Sequence, residues 1–286
     1  VTWILPSRPK RSASATDRTD LWNLRGDQEY DLLLERIREA GSGKRILYVP
    51  NIGNWGDGLI HEGTVQFFHE HGIEYTQIDR PKIAQIRKAL EGTGLRLSDT
   101  LLIAGGGGAF CEAWPSTRNF LAANAWLFDH VVLLPTTFEL PPLDDIDPDR
   151  ITYFSRDRHT SQKVNPMSVF CHDMAFYLEL TVPVGEPVIE RGNFFRDDKE
   201  QHPEAKLPAD NLDLSLQAKH LQPALPFFQI LAPYRKIYTD RMHIAIAGSM
   251  LGREVALYPG SYFKSTDVFR SSIEPNYPAT ALEVWK

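Results

Sequence analysis

Apolar residues recur along this chain in two rhythms that change over at short intervals. In "DQEYDLLLERIREAG", from Asp27, the residues Tyr30, Leu33, Leu34 and Ile37 fall on one helical stripe that Gly41 ends. "KRILYVP" follows as a short unbroken apolar run, the mark of a strand buried on both faces. The exchange then repeats: helix in "LIHEGTVQFFHEHG", strand in "IEYTQID", helix in "PKIAQIRKALEG", strand in "DTLLIAG", helix in "TRNFLAANAWLFD" and strand in "HVVLLPTTF". Such alternation predicts a parallel sheet with helices on both faces and right-handed crossovers.

The run from Glu139 to Arg150, "ELPPLDDIDPDR", is rich in Pro and Asp and has no period, so a domain linker is expected there. A second unit opens at "ITYFSRD", passes through "SVFCHDMAFYLEL" and a strand with a polar excursion, and becomes regular again near the end. There, strand "KIYTD", helix "RMHIAIAGSMLG", strand "REVALYPG" and helix "STDVFRSSI" follow one another. The expected architecture is α/β, with two Rossmann-like lobes facing across a cleft. Residues 1–26 form a loosely held tail, 27–142 the N-terminal lobe and 150–286 the C-terminal lobe.

Composition narrows the chemistry. Of 286 residues, 42% are hydrophobic and 24% charged, as in an ordinary globular protein. The formal net charge of -6 gives no global basic field, which argues against a nucleic-acid partner, so any bound anion must be held by a few placed side chains. Two cysteines, Cys111 and Cys171, are too few for a metal cluster or a disulfide framework, and a reducing cytoplasm is the expected setting, with no metal. The first twenty residues run from a short apolar start to basic and Ser/Thr-rich positions, the reverse of a signal peptide; surface docking to a membrane or a partner is the minor expectation for them.

In open α/β sheets ligands sit beyond the carboxyl ends of strands, and four such loops stand out. In "NIGNWGDG", Gly53, Gly56 and Gly58 permit close backbone approach, Asn54 and Asp57 can bind hydroxyls, and the next helix offers N–H groups. Asp57 reads equally as a helix cap or as a chemical group. The loop is neither a GxGxxG nor a P-loop pattern, which disfavours a dinucleotide or a nucleoside triphosphate. In "AGGGGAFCEAWP", the glycines, Gly106 and Gly107 among them, suit a ligand wall or tight packing, the wall being favoured, and Trp114 offers a face for a sugar or a place in the core. "SRDRHTS" presents Arg156, which is either a site residue or part of a solvated charge cluster. In "YTDRMHIAIAG", Arg241 and His243 at a helix start make an anion site the better reading, and Lys264 from the next strand-end region can join them.

These stretches together, "NIGNWGD", "GGGGAF", "RDRHTS", "CHDMAF" and above all "TDRMHIAIAGSMLGREVALYP", resemble the polysaccharide pyruvyl transferase family over roughly residues 46–273. The resemblance implies a GT-B-like fold with the donor held mainly by the C-terminal lobe and the acceptor by the N-terminal one. It also implies transfer of pyruvate from phosphoenolpyruvate to a glycan as a ketal, without a cofactor. The family's Arg-Leu-His donor motif falls on Arg241, Met242 and His243, with Met for Leu, a swap of similar volume. Its Arg-acid block opens on Arg156, with the serine displaced to Ser161, and its Gly-Asp pair falls on Gly56 and Asp57.

On this reading Asp57 and His243 are the catalytic pair, Asp57 as base toward the sugar and His243 as acid, the reverse being equally allowed. Arg156, Arg241, Met242, His243, Lys264, Asn54, Gly56, Gly106 and Gly107 bind substrates. Bacterial members act on lipid-linked repeat units at the cytoplasmic face, which implies peripheral membrane contact. Two other classes fit the same sequence: a nucleotide-sugar-dependent glycosyltransferase of GT-B type, and a glycan-binding homologue without activity.

Overall fold

The computed structural model describes residues 18–183 and 187–285. Two parallel sheets organise them. The larger has six strands in the order β3-β2-β4-β5-β6-β7, comprising β2 (Arg45–Val49), β3 (Thr76–Gln77), β4 (Leu97–Ala104), β5 (Phe128–Thr136), β6 (Ile151–Ser155) and β7 (Val169–Phe170). The smaller runs β12-β11-β10-β9, from β9 (Ile189–Asn193), β10 (Tyr234–Thr239), β11 (Glu254–Leu257) and β12 (Thr280–Leu282). β1 (Arg18–Asp20) and β8 (Thr181–Pro183) form a separate antiparallel ribbon.

In the large sheet β2 and β4 are neighbours although β3 lies between them in the chain, so the strand order reverses at the β2/β4 crevice. Such a reversal leaves a gap between the loops at the carboxyl end, where ligands of open sheets bind. Alternate residues of the strands serve opposite faces. Tyr48, Leu101, Ile103, Val132, Leu134 and Phe154 pack with α1 (Gln28–Gly41) and α2 (Trp55–Glu70). Val49, Leu102, Ala104, Val131, Leu133 and Tyr153 pack with α3 (Arg80–Leu90) and α4 (Ser116–Asn124).

The first face continues without a break into the second lobe, through α6 (Leu225–Leu231), α7 (Met242–Met250), β10 and β11. Beyond His243 in its first turn, α7 is buried all round and nearly wholly apolar, as a helix at the centre of a core must be. It packs on α2, so the helices that open the two candidate loops lie side by side. The segment at Lys219 to Ala224 completes the junction: Lys219 bridges Asn54, Trp55 Nε1 donates to the Pro223 carbonyl at 2.9 Å, and the Ala224 N–H donates to Glu62 Oε2 at 2.6 Å. α5 (Thr160–Val164) and α8 (Lys264–Val268) complete the helices.

Two expected boundaries are corrected. The Pro/Asp-rich run is a surface crossing that returns to the sheet it left: β6 pairs in parallel with β5, and β7 with β6, so the first lobe extends past Phe170. Of the expected tail, residues 18–26 are docked, with Leu21 and Leu24 buried and Arg25 ion-paired to Glu70 and Glu179; residues 1–17, with the expected surface contact, lie outside the described residues. No helix of the described residues is long and apolar enough to cross a membrane.

Candidate active site

A cavity of about 500 Å³ lies between the lobes, and every strand-end loop singled out in the sequence reaches it. Asn54 and Asp57 come from the β2–α2 junction, Gly108 and Trp114 from the loop after β4, Arg156 from the end of β6, Arg241, Met242 and His243 from the β10–α7 junction, and Lys264 from the start of α8. The excursion after β9 adds Arg196, Asp198 and Glu200.

At its inner wall, Arg156 is 1% exposed yet fully charged. Burial opposes that charge, but the Asp173 carboxylate outweighs it: Arg156 Nη1 meets Asp173 Oδ2 at 2.6 Å, while Nε donates to Thr137 Oγ1 at 2.8 Å. The third nitrogen, Nη2, is turned toward Gly108, where a Cβ would lie 3.4 Å from it and 3.6 Å from Lys264 Nζ. Two cationic nitrogens therefore flank a stretch of bare backbone. Asp173 also faces His243, with Oδ2 3.5 Å from Nε2. Burial alone would raise the Asp173 pKa, but the hydrogen bond and charge of His243 and the charge of Arg156 hold it well below the usual carboxylate range. His243 lies across the first turn of α2: a Cβ on Gly56 would fall 2.3 Å from Nδ1. Only glycine leaves room for the ring.

The other cations are matched by acids of the excursion. Lys264 Nζ meets Glu200 Oε2 at 2.5 Å, and Arg196 pairs with the same oxygen. Burial pushes Lys264 down to about 8 despite that partner; Glu200 is held at about 2, because Lys264 and Arg196 overcome the penalty of its burial. Arg241, expected to fork onto a donor anion, is forked onto Asp213 through Nε and Nη2, and its Nη1 meets Asp198 Oδ2 at 2.8 Å. Lys199, between these acids, stands 3.8 Å over the ring of Trp114. Asp198, Lys199 and Glu200 thus cross the cavity as a strap, each gripping a different wall.

Asp57 is both cap and lining. The backbone N–H of Asn54 donates to its Oδ2 at 2.9 Å, Asn51 Nδ2 donates to its Oδ1 at 2.7 Å, and the Asn54 side chain caps the helix in return. This capping box consumes N–H groups that the sequence reading left free for a ligand. A carboxylate accepts about four hydrogen bonds, so Asp57 keeps capacity toward the cavity. The glycine run divides. Gly106 faces the Pro135 carbonyl, 2.2 Å from where a Cβ would sit, and Gly107, at φ +119°, faces Ile60, Asn51 and Asp57. Both serve packing of β4 between its neighbours and lie off the cavity lining, against the expected ligand wall; Gly108 provides the exposed wall instead. Met242 lines the cavity and is buried in the shared core.

No family model matches the chain. It is similar to a curated protein of Bacillus subtilis (strain 168), "Putative pyruvyl transferase EpsO", at 23% identity over 287 residues, 82% of this chain and 86% of that one. Its fold is similar to that of KP1_0663, a functionally uncharacterized protein of Klebsiella pneumoniae subsp. pneumoniae NTUH-K2044 known from a crystal structure. TM-score is 0.72 and identity 27%, over 89% of this chain and 97% of the other. With its two parallel sheets, the chain is a Rossmann-like α/β protein, as the alternating pattern predicts.

Several residues at the site were not singled out in the sequence. Asp173 stands inside "CHDMAF", a stretch that carries part of the family resemblance, but nothing in its spacing marked the carboxylate itself as the partner of Arg156 and His243. Asp198, Glu200 and Asp213 lie in a polar stretch without period. Arg80 forms a layer behind Asp57, donating to Asn51 Oδ1 at 3.1 Å and Thr117 Oγ1 at 2.9 Å.

Proposed function

We propose that this protein transfers pyruvate from phosphoenolpyruvate to a glycan as a cyclic ketal, releasing phosphate. The observation that carries this reading is the placement of Arg156 Nη2 and Lys264 Nζ on either side of Gly108, in a cavity whose other wall holds His243 and Asp57. A small molecule with a carboxylate and a phosphate needs two cationic donors at short range, and a guanidinium beside an ammonium supplies them. The name of the Bacillus protein supports the coarser part of this reading, transfer of a pyruvyl group.

The chemistry needs an acid and a base. One proton goes to the methylene carbon of the enol, the carbon bearing the phosphate becomes cationic, one sugar hydroxyl adds to it, and a second hydroxyl closes the ring as phosphate leaves. Both hydroxyl protons must be taken up, one of them balancing the proton given to the methylene and the other leaving with the phosphate as hydrogen phosphate. His243 is the group for the enol and the departing phosphate, and Asp57 for the hydroxyls. No cofactor is required. The acceptor is a polyol, with Trp114, 44% exposed at the cavity, as a face for its ring. A lipid-linked acceptor would bring the protein to the inner face of a membrane in the cytoplasm.

The test is phosphate release from phosphoenolpyruvate with a set of glycans, with the ketal methyl group followed by NMR. His243→Ala and Asp57→Asn should each lower turnover by about 10²- to 10⁴-fold. Full turnover in both variants, or consumption of a nucleotide sugar instead, overturns the reading.

A further inference from the structure

We propose that Asp173 is a positioning residue that fixes the proton of His243 on Nε2 and leaves Nδ1 as the nitrogen that works on substrate. The inference rests on the proposed role of His243 in the cavity, and it assigns that role to one nitrogen and one ring orientation.

Four observations carry it. Asp173 is fully buried, and its two oxygens divide their work: Oδ1 accepts the Ala175 N–H at 2.9 Å, while Oδ2 faces Arg156 and His243. The carboxylate is ionised at any working pH, because His243 and Arg156 outweigh the cost of its burial. A buried carboxylate accepts and cannot donate, so the nitrogen turned to it carries hydrogen. His243 Nε2 is sealed from solvent and, among the described residues, has no hydrogen-bond partner, with the Asp173 carboxylate 3.5 Å away. Nδ1 packs against Gly56 in the first turn of α2, and His243 itself lines the cavity between Asn54 and Asp57 of that turn and Met242.

The 3.5 Å separation is longer than a formed hydrogen bond and should shorten when the ring becomes charged, since a charge-assisted hydrogen bond is shorter and stronger. As Nδ1 takes a proton, the resulting imidazolium gains the full attraction of Asp173, and as it gives the proton up the ring returns to the Nε2–H form. Asp173 belongs to the turn after β7 and Arg156 to the end of β6, both in the large sheet, while His243 belongs to α7, so the carboxylate ties the large sheet's arginine to the histidine of the second lobe. The arrangement follows the rule that the proton position on a histidine is set by the bond its second nitrogen makes.

The test is ¹⁵N NMR of histidine-labelled protein, with His243 assigned by loss of its signals in His243→Gln. In the neutral ring of the wild type the Nε2–H tautomer should dominate, and in Asp173→Asn the two tautomers should mix. Loss of orientation should also lower kcat by at least about a hundredfold, since an orienting Asp replaced by Asn in a serine-protease triad costs about 10⁴. A wild-type ring protonated on Nδ1 overturns the proposal, even if Asp173→Asn does not fold after losing the partner of Arg156. An unchanged tautomer in a folded Asp173→Asn overturns it as well. The two tautomer readouts need no phosphoenolpyruvate, so failure of the pyruvyl-transfer reading would show separately, as an Nε2–H ring in a protein that releases no phosphate.

Discussion

Replacing Gly56 by alanine separates seating of His243 from stability of the fold. The added Cβ would meet His243 Nδ1 at 2.3 Å, Cγ at 2.8 Å and Cβ at 3.0 Å. Ordinary carbon contacts begin at about 3.5 Å, so the ring must retreat by about 1 Å, and a displacement of that size can cost about 10² in rate. Its backbone is helical, so alanine itself is welcome: it gains up to about 1 kcal/mol in helix propensity, against about 1–3 kcal/mol of overpacking. Stability should therefore change by no more than about 2 kcal/mol, while turnover falls about a hundredfold. The assay is steady-state phosphate release, with denaturant unfolding alongside, on wild type, Gly56→Ala, His243→Ala and the double variant. If the methyl group acts by displacing the ring, Gly56→Ala should cost nothing further once His243 is gone. The same hundredfold loss in the His243→Ala background would refute the seating argument.

Three further outcomes follow from the charges. Asp198→Asn removes a negative charge from the cavity and frees Arg241 Nη1, so donor affinity measured by calorimetry should rise about tenfold, about 1.4 kcal/mol, whereas a fall would mean that Asp198 chiefly holds Arg241 in place. Burial pushes Lys264 down to about 8, so donor affinity should decline as pH rises through 8, and Lys264→Arg, which stays charged, should remove that decline; a flat wild-type profile contradicts this. Asp240, raised to about 6 by burial, keeps its proton in the folded state where the unfolded chain has lost it. Its contribution is full below the unfolded value and is lost as pH rises through 6, so Asp240→Asn should gain up to about 3 kcal/mol on wild type between pH 4 and pH 7; no change in their difference over that range rejects the assignment.

Local rhythm carried most of the first lobe: the runs at β2, β4 and β5 and the stripe of α1 lie where the period placed them. It did not reveal that β6 rejoins the first sheet, because the composition of "ELPPLDDIDPDR" says only that the segment is exposed, not which edge the next strand pairs with. At the site, junction residues were legible one by one, since Arg156, Arg241 and His243 each follow a strand. Their partners were not. Arg156 and Asp173 are 17 positions apart, Arg241 and Asp213 28, and Lys264 and Glu200 64, so no local spacing links them. The same non-locality explains why Arg241 reads from sequence as a free anion binder when its nitrogens are already engaged by two carboxylates. Gly106 and Gly107 show the converse: a glycine run signals close approach, but the approaching atoms here belong to the protein's own strands.

The most direct test of the central claim is a calorimetric titration of the protein with phosphoenolpyruvate, beside UDP and a UDP-sugar. Saturable binding of phosphoenolpyruvate near one equivalent, weakened as pH rises through 8 and absent for the nucleotides, is the predicted result. Binding of the nucleotides with none of phosphoenolpyruvate would contradict the account and make the cleft that of a nucleotide-sugar glycosyltransferase.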